Sequence, residues 1–232
     1  MPYIIALFLL LAIFCVGCAL VWRAKKSTLI NIAFVLLVYS AYLFVSLTVY
    51  FDVGFSDWNF QNTLPTANVS PFMFTLAPLS LLLPRKPRRC VFLLISMLSW
   101  GMLLAGALGC VYNAVIGYKF HFHFFMDYTA HILLSLFGIY LVRSEQVDLT
   151  PVAALISGSV IFGSALLMLI LNLIFDTSFF GLSLSGKHNI YNVVLTDNSY
   201  ISALLYFIGL SGVLALGYFA CIFIKKAGRT KS

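Results

Sequence analysis

The chain has 232 residues, of which 62% are hydrophobic and only 9% charged, with a formal net charge of +7. A soluble domain carries roughly 25% charged residues. The composition, with a mean hydropathy of +1.03, therefore excludes soluble nucleotide-hydrolysing and nucleic-acid-binding folds and secreted disulfide scaffolds.

A membrane-spanning helix needs about 20 apolar residues, so this length accommodates six or seven spans with short connections. We read residues 1–232 as a single integral membrane domain: an all-α, polytopic transmembrane helical bundle of about seven spans. Apolar runs against polar punctuation place the spans at 3–22, 28–51, 69–84, 90–112, 120–142, 150–175 and 200–224. The first ends at Arg23, Lys25 and Lys26. Its positive charge follows the apolar run instead of preceding it, which predicts a retained helix and not a cleaved signal. The third is short and contains Pro71 and Pro78. Each proline frees a backbone carbonyl, so a kinked or broken helix beside a cavity is predicted.

Charge sets the expected orientation. Of the 14 Lys and Arg residues, 12 fall at alternate connections and the C-terminal tail, leaving only Lys119 and Lys187 for the opposite side. The positive-inside rule then puts the N-terminus outside and the C-terminus in the cytoplasm of a cell (inner or plasma) membrane protein. This basic side predicts attraction to anionic membrane lipid and no nucleic-acid partner. Two external segments stand out. Residues 52–68 carry Phe55, Trp58 and Phe60 and read as interfacial; residues 176–199 read as a re-entrant hairpin or a lid over an outward-facing cavity.

The fourth span holds Gly101, Ala105, Gly106 and Gly109, the sixth Ser159 and Gly163, and the seventh Ser211 and Ala215. Small residues four apart let helix backbones approach closely, within the chain or against a protein partner. Cys15 and Cys18 form a C-x-x-C pair inside an apolar span, where small-residue packing is the reading. A retinal protein would need a lysine in the middle of the last helix, and residues 201–224 contain none.

Candidate chemistry concentrates in the fifth span. His123, Asp127 and His131 are each four residues apart, so all three project from one helical face. Asp127 then lies about 10 Å, and His131 about 16 Å, below the outer surface. A carboxylate at such depth needs a partner or water. An Asp–His pair one turn apart provides the partner and fixes the imidazole tautomer that a general base requires. The same residues also read as a buried polar cluster that orders the bundle. Metal binding is not expected, because the rings of His121 and His123 do not point to one side of a helix. No cofactor is expected either.

A nucleophile for His131 must come from a facing helix at the same depth. Thr66 and Ser70, where the chain enters the third span, are the candidates, with Thr75 deeper. Asn172, Asp176 and Thr177, at the outer end of the sixth span, are candidates with His123 for holding a polar head group or donating to an oxyanion.

The order of short motifs resembles a family. A Leu64-Pro65 step precedes the third span, followed by Ala77-Pro78-Leu79 and a basic loop. Next come His121 to His131, then Asn172 with Asp176-Thr177-Ser178-Phe179-Phe180, and Lys187 before the last span. Over residues 61–224 this is similar to the YwaF-type integral membrane proteins, relatives of transmembrane protein 164. The resemblance implies a polytopic bundle with intramembrane lipid chemistry, since the eukaryotic relatives are described as phospholipid acyltransferases that use a Cys and a His. His131 matches the family histidine. The family cysteine falls at Val69 or beside it, and no cysteine stands between Cys18 and Cys90. The nucleophile is then either missing or replaced by Thr66 or Ser70.

The leading expectation is lipid acyl transfer or ester hydrolysis in an outward-facing cavity among the third, fifth, sixth and seventh spans. His131 would be the base, Asp127 its orienter, and Ser70 or Thr66 the nucleophile. A non-enzymatic binder or transporter of a small hydrophobic or cationic ligand, and an accessory membrane subunit, are the rival readings.

Overall fold

The computed structural model describes residues 2–53, 69–115, 122–175, 180, 182 and 199–229. They form seven helices: α1 (Pro2–Arg23), α2 (Thr28–Val53), α3 (Val69–Leu82), α4 (Arg85–Val115), α5 (Phe122–Arg143), α6 (Pro151–Phe175) and α7 (Ser199–Arg229). Six are long and apolar enough to cross a membrane; α3, with 14 residues, is not. At 1.5 Å per residue α3 is about 21 Å long, against a hydrocarbon thickness of about 30 Å. The chain is therefore a multi-pass helical membrane protein with one short helix among its long ones.

Helix ends follow local chemistry. Thr150 caps α6, its hydroxyl accepting from the Ala153 amide at 3.2 Å while Pro151 occupies the first helical position. After α5 the chain turns with Glu145 in the left-handed region (φ 57°). There Gln146 N donates to Leu141 O (2.9 Å) and Glu145 N to Val142 O (3.1 Å), the paired bonds of a Schellman stop. One boundary differs from expectation. The fourth span was expected to start at residue 90, after a basic loop, yet α4 begins at Arg85 and only Leu83 and Pro84 separate it from α3. Pro87 is tolerated in a first turn, and Arg88 is drawn back onto α3. Its guanidinium donates from Nε to Leu83 O (3.0 Å) and from Nη2 to Leu81 O (2.9 Å), capping carbonyls that end α3.

The connections at this end of the bundle are bonded to one another. The Tyr140 hydroxyl of α5 donates toward Lys25 O and Ser27 O (3.2 Å each) and accepts from Ser27 N (2.9 Å). Asn31 and Gln146 exchange side-chain amide bonds of 2.8 and 3.2 Å. Arg89 Nη2 donates to Val147 O, and Tyr218 OH to Leu149 O, both at 2.8 Å. Arg23, Lys25, Lys26, Arg85, Lys86, Arg88, Arg89, Arg143, Lys225 and Lys226 therefore all belong to one end, the basic end.

The middle of the bundle is built around α5, which packs against α1, α2, α4 and α7. Phe137 is fully buried, stacking on Phe34 at 5.5 Å and meeting Phe92 edge-on at 6.0 Å. Helices α4 and α5 approach closely at Gly138, where a Cβ would stand 2.5 Å from Ser99 Oγ and 3.1 Å from Ser96 Cα. The serines there bond across the seam: Ser96 Oγ to Gly138 O (3.2 Å) and Ser135 Oγ to Ser99 O (2.8 Å). Each also donates to its own helix, at Phe92 O and His131 O, so no buried hydroxyl is stranded in the seam.

The small-residue expectation is met at one place and corrected at others. Gly101 does meet α7, at Val213. Gly163 has open space around it, and Ser159, Ser211 and Ala215 are exposed, so these faces of α6 and α7 do not close the bundle. The closest approach lies instead at Gly217, where a Cβ would be 2.0 Å from the Met97 carbonyl oxygen. Four-residue spacing marks a smooth helix face but does not say which face turns inward.

Gly217→Ala is expected to cost about 1–3 kcal/mol, because backbone and not a flexible side chain must yield. Gly163→Ala should stay within about 0.5 kcal/mol. Thermal unfolding in detergent micelles compares the two; equal losses would show that the α4–α7 contact is not as close as described. At the start of α6, the Thr150 amide bonded to Asp148 (3.1 Å), aided by the Thr150 hydroxyl, Arg89 and Lys225, holds the Asp148 carboxyl below its ordinary range. A lowered folded value means stability that is present above the ordinary carboxylate pKa and is lost as pH falls through the folded one. Asp148→Asn should therefore remove a modest acid-sensitive component below about pH 4, at most about 1 kcal/mol at this exposure.

Candidate functional site

His131 stands mid-way along α5 and is 6% exposed. Its Nδ1 lies 2.8 Å from the backbone carbonyl oxygen of Asp127, one turn earlier. A carbonyl can only accept, so Nδ1 carries the proton and Nε2 is left with its lone pair. Ser70 Oγ lies 3.0 Å from that Nε2. The Ser70 hydroxyl also has Met102 Sδ at 3.2 Å, but a thioether is a weak acceptor beside an imidazole nitrogen. The result is a hydroxyl donating to a neutral imidazole whose far nitrogen is fixed by a third group.

Each member is positioned by a different element. Phe74, one turn beyond Ser70 on α3, packs edge-on to the imidazole with ring centroids 5.4 Å apart. Ser135 bonds the His131 carbonyl and so ties this turn of α5 to α4. Met102 comes from α4. Depth is matched from the basic end: Ser70 precedes Leu82 by about as many residues as His131 precedes Arg143, roughly 18 Å of helix in both cases. Arg88, gripping the last carbonyls of α3, anchors that measure.

Ser70 is the second residue of α3. The first amides of a helix have no intrahelical acceptor and carry the positive end of its dipole. Pro71, the next residue, has no amide hydrogen to offer beside the hydroxyl.

The orienting group differs from the one expected. Asp127 Oδ1 is 3.6 Å from His131 Nδ1, beyond hydrogen-bond reach, and the carboxylate is 37% exposed. The Asp127 backbone holds the ring, because an i+4 imidazole reaches the carbonyl of residue i more directly than its side chain.

Asn172 is buried on α6, and its side-chain amide donates to the Leu182 carbonyl. It anchors the chain after α6 and makes no contact with the Ser70–His131 pair. Phe180, buried with φ 58°, packs on Phe72 of α3 at 5.6 Å, so its ring reaches the first turn that carries Ser70. The Thr75 hydroxyl is buried without a hydrogen-bond partner and does not bond His131. His123 lies in the first turn of α5, and its side chain, like the whole of Thr66, Asp176 and Thr177, lies outside the described residues. Among the described residues no group of three or more His, Cys, Asp or Glu side chains could hold a metal. Sequence reasoning missed Ser99, Ser135, Met102 and Phe74, which carry no signal as isolated serines and apolar residues in apolar helices. No protein-family model, curated protein or solved structure matches the chain.

Because the backbone orients the imidazole, Asp127→Asn should leave His131 in the Nδ1–H tautomer. Nitrogen-15 chemical shifts of histidine-labelled protein in lipid bilayers report the tautomer directly. A switch to Nε2–H in the variant would show that the carboxylate is the orienter after all.

Proposed function

We propose that this chain is a multi-pass cell-membrane enzyme that cleaves or transfers the acyl group of a lipid ester, with Ser70 as nucleophile and His131 as general base. The observation that carries the reading is the 3.0 Å approach of Ser70 Oγ to an Nε2 whose ring is fixed through Nδ1. That is the arrangement of an activated hydroxyl nucleophile. Ser70 Oγ attacks the ester carbonyl carbon while its proton passes to Nε2. The oxyanion that forms is met by the Ser70 and Phe72 amides at the start of α3. The tetrahedral adduct collapses, the ester C–O bond breaks, and His131 returns the proton to the departing alcohol. Water, or a second alcohol, then releases the acyl group from Ser70 by the same route reversed. Asp127 stabilises the transient imidazolium.

The basic end lies in the cytoplasm on this reading, with α3 counted as a seventh, short crossing and the N-terminus outside. The resemblance to YwaF-type proteins supports the reading, since Ser70 adjoins the place that resemblance gives to a cysteine. A second reading rests on the exposed Asp127 carboxylate, which His131 does not consume. There the chain binds a cationic amphiphile, with Asp127 as counter-charge.

Purified protein in proteoliposomes, offered a panel of fluorescent acyl-ester lipids, tests both. Ser70→Ala and His131→Ala should each lower turnover by about a thousandfold or more without unfolding the bundle. A fluorophosphonate should label Ser70 in the unaltered chain only. Absence of both labelling and turnover, together with loss of amphiphile binding in Asp127→Asn alone, would replace the enzyme with the binder.

A further inference from the structure

A second site stands at the basic end, independent of the acyl-transfer reading. Arg143 closes α5, and its guanidinium lies 5.1 Å from the ring centroid of Trp22 on α1. On its other flank is Gly228 of α7, whose missing side chain leaves room, since a Cβ there would be 2.7 Å from Nη1. Arg143 Nε is buried and unbonded, and no carboxylate among the described residues lies within ion-pair distance of this guanidinium. Arg89 Nε is likewise buried and unbonded, but Arg88 and Arg89 spend their other donors on the Leu81, Leu83 and Val147 carbonyls, whereas Arg143 donates to no acceptor among the described residues. Around Arg143 the neighbouring charges on α1 and α7 are the cations Arg23, Lys225 and Lys226; Glu145, two residues on, is exposed.

A buried guanidinium nitrogen without an acceptor is costly unless something supplies one. The planar fork of arginine fits two oxygens of a phosphate, and tryptophan marks the depth at which phospholipid head groups lie. We infer that Arg143, between Trp22 and Gly228, is a docking site for the phosphate of an anionic lipid at the basic end of the bundle. Trp22 covers one face of the guanidinium and Gly228 lets the other lie flat against α7, so the phosphate meets the remaining edge of the half-buried fork, where Lys225 and Lys226 favour a head group with net negative charge.

The test uses the full chain in nanodiscs of phosphatidylcholine alone or with phosphatidylglycerol, and a third arm of phosphatidylcholine with inorganic phosphate in the buffer. Native mass spectrometry reads retained lipid, and thermal unfolding reads the stabilisation. The unaltered protein should retain phosphatidylglycerol over phosphatidylcholine by about tenfold, the scale of one charge-assisted bidentate contact. Arg143→Gln should abolish that preference, while Lys86→Gln, which removes the same charge from an exposed side chain of the same end, should keep it. Should Arg143→Gln fail to fold, Gly228→Ala retains the charge but its Cβ displaces the guanidinium from its seat against α7, and its loss of preference makes the same point. Stabilisation by inorganic phosphate alone, absent in Arg143→Gln, would support the phosphate site and assign it to a soluble anion. Equal losses in Arg143→Gln and Lys86→Gln, or no preference in the unaltered chain, would overturn the site.

Discussion

A hydroxyl 3.0 Å from an imidazole nitrogen in the middle of apolar helices requires that both helices be held at a fixed depth. In this bundle the short helix α3 carries the hydroxyl, and much of the surrounding structure holds α3 in place. Phe180 folds against Phe72, and Asn172 ties the segment down through Leu182. At the far end Arg88 fixes where α3 stops, and so where it starts. The pairing of Ser70 with His131 takes place inside that frame.

The two halves of the bundle are built by different forces. Toward the basic end, connections are short and their carbonyls are claimed by Tyr140, Arg88, Arg89 and Tyr218. Hydrogen bonds to named groups define that floor. Higher up, the α4–α5 seam depends on the absence of atoms at Gly138 and on serine hydroxyls that share one proton between two carbonyls. Hydrophobic burial cannot distinguish one helix pairing from another in lipid, so these polar and steric devices select the arrangement.

What the sequence displayed follows from those forces. Spans were legible because backbone satisfaction in hydrocarbon demands long apolar helices, and the gathering of arginines and lysines at one end was legible as alternating charge. The four-residue step from Asp127 to His131 was legible as a shared face, and Ser70 as a polar residue at matching depth. The identity of the group that holds the ring was not, since every residue carries a carbonyl and only helix geometry brings that of Asp127 to Nδ1. Nor could spacing distinguish Gly217, which meets the Met97 backbone, from Gly163, which faces open space. Both lie in glycine-containing apolar helices, and the distinction resides in the rotation of each helix about its axis.

The matched depth of Ser70 and His131 has a consequence for how such a chain can drift in sequence. Both are measured along a helix from the same anchored end, over about twelve residues each. Inserting or deleting one residue between Ser70 and Leu82, or between His131 and Arg143, would turn its partner by about 100° and shift it by about 1.5 Å. The two intervals can therefore change in length only together with the loss of the pair. Length variation between related chains should accumulate in the long connections away from the basic end, and be almost silent in these two stretches.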